Sequence, residues 1–78
     1  MENGATKYVY DYSKLLGRIK EKGHTIESLS RIVGITSWAL SRKLHNMNDF
    51  KQREILLICF ELDIRLSDLE DYFFYKAA

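Results

Sequence analysis

The chain has 78 residues, of which 46% are apolar and 29% are charged, so it is long enough for one globular domain and no more. The single cysteine excludes an intramolecular disulfide and a cysteine-based zinc site. The absence of proline favours helices joined by short turns. No segment approaches the ~20 apolar residues of a membrane span, and the N-terminus lacks the apolar core of a signal peptide. We expect a cytoplasmic protein with a flexible tail over residues 1–9 and a single domain over residues 10–78.

The net charge of +1 is distributed unevenly along the chain. Residues 1–53 contain ten Lys/Arg and five Asp/Glu, a net charge of +5, whereas residues 54–78 contain two Lys/Arg and six Asp/Glu, a net charge of −4. An anionic partner would be attracted by the first two-thirds of the chain and repelled by the last third. This distribution favours a nucleic-acid-binding surface in the first part of the chain.

The first predicted helix runs from about Tyr12 to Lys22, where apolar residues recur at spacings that form one stripe. Asp11 is its expected N-cap, because an aspartate oxygen can accept an unpaired backbone N–H of the first turn. Gly23 is expected to end the helix, because glycine readily adopts the left-handed conformation that follows many helix C-termini.

The second and third predicted helices are short and lie close together in sequence. Thr25 is the expected N-cap of the second, over residues 26–33, and Thr36 is that of the third, over residues 37–44. Gly34 ends the second helix. Two helices joined by such a short turn must cross steeply, which is the helix-turn-helix arrangement.

Two further helices are predicted towards the C-terminus. Asn46 is expected to have a positive φ in the glycine-free break after the third helix. Asn48 or Asp49 is the expected N-cap of a fourth helix that reaches about Leu62, and the segment Ser67-Asp68-Leu69-Glu70 has the spacing of a capping box that opens a fifth. The sequence therefore predicts an all-α fold of five short helices in one bundle.

The third predicted helix has two different faces on a helical wheel. Leu40 and Leu44 lie on one side and are expected to face the core. The other side carries polar and aromatic side chains: Trp38, Arg42 and His45, with Ser41 at the flank. Such a face can offer donors and apolar contact to base edges in a major groove, which admits one α-helix.

The stretch TIESLSRIVGITSWALSRKL, residues 25–44, resembles the helix-turn-helix of the Cro/repressor (lambda-repressor-like) family. Together with residues 10–16, 49–52 and 72–74 and the order of the five helices, it is similar to small Cro-like regulators of phages and prophages of Gram-positive bacteria. The resemblance implies a compact five-helix domain that binds double-stranded operator DNA and represses transcription by occupying it, with no cofactor.

The resemblance also implies roles for individual residues. Bases would be read by the third helix, through Ser37, Trp38, Ser41 and Arg42. Phosphates would be contacted by Thr25, Ile26, Thr36, Lys43, Lys51 and Gln52. Dimeric proteins match two-fold operators in symmetry, so a homodimer is expected at least on DNA. Its expected interface comprises apolar residues on the side away from DNA: Leu57, Phe60, Phe74 and Tyr75. A five-helix domain could also bury most of this apolar surface internally.

A second interpretation of the same fold stays open at this point. The low net charge, an exposed Trp38 and the aromatic C-terminus also suit a protein-interaction module, such as an antirepressor, an adaptor or an antitoxin. Trp38 could instead belong to the core, and Arg42 could be a solvated charge. No catalytic arrangement, phosphate-cradling glycine loop or metal-ligand spacing is visible around His24 or His45, so we expect neither an enzyme nor a metal site.

Overall fold

A computed structural model describes residues 9–77 of the chain. Five α-helices follow one another over this range, named α1 to α5: Ser13–Glu21, Ile26–Val33, Ser37–Leu44, Gln52–Leu62 and Leu69–Phe73. A 3-10 turn, Leu66–Asp68, leads directly into α5. The predicted all-α fold with five helices is confirmed. The predicted tail lies outside the described residues except for Val9, whose carbonyl accepts a hydrogen bond from the Ala77 N–H at 2.9 Å.

The caps of α2 and α3 form as the sequence predicts. Thr25 Oγ1 accepts the Ser28 N–H at 3.1 Å, and the Ser28 hydroxyl accepts the Thr25 N–H at 2.9 Å. Thr36 Oγ1 accepts the Ala39 N–H at 3.0 Å. Gly34 ends α2 with a φ of 86°, in the left-handed region that glycine enters without a steric penalty. Local chemistry therefore defines the turn between α2 and α3 on both sides.

The start of α4 differs from the prediction. Neither Asn48 nor Asp49 is the N-cap, because the helix begins after Lys51. The Asn48 side chain is used elsewhere, since its Oδ1 accepts a hydrogen bond from Arg42 Nε at 2.9 Å. The Lys51 N–H is satisfied by the Glu54 carboxylate at 2.8 Å. A contact with the last turn of α3 has thus taken the side chain that the sequence pattern assigned to a cap.

The predicted capping box of α5 is wrong. No side chain caps α5, and no hydrogen bond joins Ser67 to Glu70, because the chain passes through a 3-10 turn there before α5 begins. At α1 the difference is smaller. The helix begins at Ser13 rather than Tyr12, and Asp11 Oδ1 still accepts the Ser13 N–H at 2.9 Å. The predicted positive φ of Asn46 is confirmed at 63°.

The hydrophobic core takes apolar residues from all five helices and from the loops beside them. Its buried members are Tyr12, Leu15, Ile19, Leu29, Val33, Leu40, Leu44, Ile58, Cys59, Leu62, Ile64 and Phe73. Cys59 is a buried small apolar residue, as predicted, and burial raises the pKa of its thiol. Among residues 9–77, none of the helices has the length and apolar character needed to cross a membrane.

Arg18 joins α1 to the end of α4. Its Nε donates to the Leu62 carbonyl at 2.8 Å and its Nη2 to the Asp63 carbonyl at 3.1 Å. Carbonyls at the C-terminus of a helix have no partner within the helix, so a guanidinium there satisfies them and interacts favourably with the helix dipole. Asp63 has a φ of 54°, which ends α4 without a glycine.

Candidate interaction surface on α3

The orientation of α3 agrees with the helical wheel. Leu40 and Leu44 are buried against the core, whereas Trp38 and His45 on the opposite face are exposed. Trp38 is 69% exposed, so it is a surface residue and not part of the core. A tryptophan this exposed on a small domain points to a contact surface, because tryptophans are enriched where proteins meet partners.

Trp38, Arg42 and Asn48 form one connected group on this surface. The guanidinium carbon of Arg42 lies 4.8 Å from the centroid of the Trp38 ring, within cation–π distance. Arg42 Nε donates to Asn48 Oδ1 at 2.9 Å. The guanidinium is therefore held from two sides, by a ring and by an amide. This arrangement orders two side chains that would otherwise sample many rotamers.

Ser41 and His45 continue the same face towards the end of α3. His45 Nδ1 donates to the Ser41 carbonyl at 2.7 Å, which fixes the imidazole against the last turn of the helix. Of the four residues predicted to read bases, Ser37 and Trp38 are exposed, and Ser41 and Arg42 are half-buried. Their contact with DNA stays a prediction.

The residues predicted to contact phosphate do not form one group of free donors. The hydroxyl oxygens of Thr25 and Thr36 cap helices, while Lys51 and Gln52 are exposed around the start of α4. Lys43 is buried, and its Nζ donates to Glu54 Oε1 at 2.9 Å and to the Asp49 carbonyl at 3.2 Å. In this structure Lys43 is not at the surface where a phosphate could reach it.

The burial of Lys43 has a signal in the sequence. A residue three positions after Leu40 lies on the core side of the helical wheel, not on the exposed side. Glu54 occurs on the next helix, where its carboxylate can meet the ammonium group. Burial acts to raise the pKa of Glu54. The Lys51 N–H and the Lys43 ammonium outweigh this effect and hold that pKa below its ordinary value.

The fold also changes the distribution of charge. Three lysines from the basic first part of the chain pair with acids from the acidic last part: Lys14 with Asp71 at 3.6 Å, Lys22 with Asp63 at 2.6 Å, and Lys43 with Glu54 at 2.9 Å. Each pair brings opposite charges together and so reduces the separation of charge seen in the sequence. The surface field of the folded domain is therefore less one-sided than the net +5 and −4 of the two segments indicate.

The residues predicted for a dimer interface occupy two places. Phe60 is 80% exposed and lines a small cavity with Leu56 and Leu66, on α4 and the following loop. Phe74 packs edge-on against Tyr10 with ring centroids 6.0 Å apart, near the ends of the chain. Two further residues complete the predicted set: Leu57 is half-buried and Tyr75 is exposed. The four residues of the predicted interface therefore do not form one continuous patch.

Within residues 9–77, no cluster of three or more His, Cys, Asp or Glu side chains has an arrangement that could hold a metal ion. His24 makes structural contacts with both ring nitrogens. Nδ1 lies 2.9 Å from the Ser28 hydroxyl, and Nε2 lies 2.7 Å from Glu61 Oε2 on α4.

Comparison with curated proteins gives no match. A solved structure is similar over most of the chain: the solution structure of the modulator of repression of the temperate bacteriophage TP901-1 from Lactococcus lactis. The two proteins share 37% sequence identity with a TM-score of 0.71, and the match covers 83% of this chain and 88% of that one. This similarity supports the predicted resemblance to small helical regulators of phages. Membership of the Cro/repressor family stays a prediction. Residues 8–76 match a family model described as "Protein of unknown function (DUF739)", and the chain belongs to that family.

Proposed function

We propose that the chain modulates transcriptional repression by binding a protein of the repression system through the exposed face of α3. The observation that carries the proposal is the Trp38–Arg42–Asn48 group, in which a guanidinium is stacked on an exposed ring and tied by an amide. Tryptophan and arginine dominate the energetics of protein–protein interfaces. Side chains already ordered in the free protein lose less entropy on binding, which favours affinity.

The similarity to the phage protein supports the same proposal. It is described as a modulator of repression, and it shares 37% identity with this chain over most of both lengths. The proposal carries that action to this chain: the protein alters how a repressor works. Of the two interpretations that the sequence left open, the protein-interaction module agrees better with this similarity.

The charges of the described residues weigh against DNA as the main partner. Non-specific affinity for DNA comes from several cations that neutralise phosphates and release counterions. Lys43 is buried in an ion pair, and Lys14 and Lys22 are paired with acids on or beside other helices. Arg42 is held by Trp38 and Asn48. A DNA-binding face would have to rely on the exposed cations outside these contacts, such as Lys51 and Arg53.

Operator binding is the second candidate function, and a different observation favours it. α2 and α3 are separated by only residues 34–36, and each begins with a threonine cap, as in a helix-turn-helix. The exposed Ser37, Lys51 and Gln52 would then lie near the DNA. In that case α3 would enter a major groove, and phosphate contacts would determine its register.

Trp38 is the only tryptophan, so its fluorescence reports directly on the α3 face. We would titrate the full chain with mixed-sequence duplex DNA, and separately with a repressor protein from the same genome, each at low and raised salt. A fluorescence change with the repressor that persists at raised salt is the expected result. Arg42→Ala should weaken that binding by about tenfold or more, the effect of losing an interface hot spot.

Arg65→Ala is the matched control, because Arg65 is exposed and lies outside α3. It should leave repressor binding unchanged. A fluorescence change with DNA that weakens steeply as salt rises, together with none on adding the repressor, would instead show DNA binding by the α3 face and overturn the proposal.

A further inference from the structure

A second surface feature lies between α1 and the start of α2, with no residue from α3. It is a cavity of about 650 Å³ whose apolar lining includes Leu16, Ile19 and Ile26, with Gly17 between them and Lys20 beside them. Residues 13, 16, 17 and 20 of the lining share one face of α1 over two turns, a length of about 10 Å. The cavity is therefore an open groove beside one face of α1.

Gly17 has no explanation within the fold. It lies in the interior of α1, where glycine is the least favourable residue apart from proline. A Cβ placed at Gly17 would meet no atom within 4 Å, so the fold does not require its absence. Glycine in such a position allows another backbone or side chain to approach the helix closely. A helix residue that weakens the fold without a structural reason points to a contact outside the chain.

The polar side chains of the groove are already satisfied. The Ser13 hydroxyl donates to Asp11 at 2.7 Å, and both ring nitrogens of His24 have partners. Thr25 Oγ1 accepts its capping hydrogen bond. Small-molecule sites rely on a few converging polar groups to orient the ligand, and this groove offers none that is unused except Lys20. Its chemistry is an apolar floor with one cation at the side.

We propose that this groove binds an amphipathic helix of a partner protein, with its apolar stripe over Leu16, Gly17 and Ile26 and an acidic residue opposite Lys20. The charge complementarity rests on Lys20. No lining residue is acidic, and Lys20 is exposed and makes no ion pair among residues 9–77, so a carboxylate of the partner would meet a free cation there. Amphipathic helices bind in apolar grooves through apolar side chains at positions i, i+3, i+4 and i+7. The site is independent of the α3 face and of the function proposed for it.

The test maps amide chemical shifts of the isotope-labelled full chain on addition of a synthetic helical peptide. The probe is about 15 residues long, enough to form a helix, with a leucine stripe and glutamates along one edge. Two matched peptides replace the glutamates by lysine or the leucines by serine. We expect shifts at α1 and the start of α2 with the acidic peptide only.

Variants of the groove residues then test whether peptide binding depends on the groove itself. Gly17→Ala should raise the midpoint of thermal unfolding by a few degrees and weaken peptide binding by about fivefold or more, since the methyl group fills the floor. Lys20→Glu should abolish binding of the acidic peptide and permit binding of the lysine peptide. Leu16→Ser should weaken binding, whereas Ile32→Ser should not, although the two side chains are 43% and 45% exposed.

Three results would overturn the proposal. The first is the absence of shifts in the groove with the acidic peptide. The second is equal binding of the lysine peptide to the unaltered chain. The third is a set of groove shifts that depend on protein concentration without peptide, which would make a second copy of this chain the occupant.

Discussion

The Lys43–Glu54 pair shows how far a single residue can depart from the role that its type suggests. Both side chains are at most 10% exposed, and they meet at 2.9 Å. A buried charge is tolerated only when it is paired and hydrogen-bonded, and Glu54 also accepts the Lys51 N–H at 2.8 Å. Removing one partner leaves the other charge buried without compensation, which is the costly case for such pairs.

Glu54→Gln is therefore expected to lower the free energy of unfolding by roughly 3 kcal/mol, because Lys43 stays buried while its counter-charge is lost. Urea unfolding followed by circular dichroism measures the change. Glu70→Gln is the control, since Glu70 is exposed, and it should alter the stability by no more than about 0.5 kcal/mol. Equal losses in the two variants would show that the pair contributes nothing specific.

The same pair gives the protein a pH dependence with a definite sign. The pKa of Glu54 is lowered in the folded chain, so its contribution to stability is present above the pKa of the unfolded carboxyl, about 4.3. That contribution is lost as the pH falls through the lower folded value. The unaltered chain should accordingly lose stability more steeply than Glu54→Gln over this acidic range.

At the scale of elements, the segment from α2 to α3 is specified locally. Thr25, Gly34 and Thr36 each act through bonds or torsions within a few residues, and the bounds of both helices agree with the prediction. The start of α4 was not predictable in the same way. Its expected cap Asn48 instead accepts a hydrogen bond from Arg42, six residues earlier, and a capping pattern does not specify the loop conformation that brings the two together.

Thr36→Ala should destabilise the protein by about 1 kcal/mol, the usual effect of losing an N-cap. The loss is expected to be visible in Trp38 fluorescence, because Trp38 lies in the first turn of α3 and that turn would fray. Urea unfolding followed by both fluorescence and circular dichroism makes the measurement. Ser37→Ala, one residue inside the helix and exposed, should have a much smaller effect; a comparable loss would argue against the cap.

At the scale of the whole molecule, folding interleaves charges that the sequence keeps apart. The ion pairs of Lys14, Lys22 and Lys43 each join the basic part of the chain to the acidic part. Arg18 adds a further connection from α1 to the end of α4. The linear charge distribution therefore overstates how unevenly charge is divided over the folded surface.

The predicted homodimer is a whole-molecule property that depends on exposed apolar residues. Phe60, 80% exposed, offers the most accessible side chain of the predicted interface. If the chain associates, Phe60→Ser should lower the average mass in analytical ultracentrifugation at high concentration. Phe74→Ser, whose ring already contacts Tyr10, should have less effect. A monomer at every concentration, both free and with DNA, would contradict the homodimer.

The sequence by itself determined the number of helices, the turn between α2 and α3, and the face that α3 presents. These features follow from caps, glycine positions and apolar spacing, which act over a few residues. Only the tertiary structure decided that Lys43 pairs with Glu54, that Arg42 is tied to Asn48, and that α1 and the start of α2 line a groove beside Gly17. The physical reason is that these contacts depend on how the helices and the loops between them pack, and spacing patterns within one helix do not specify that packing.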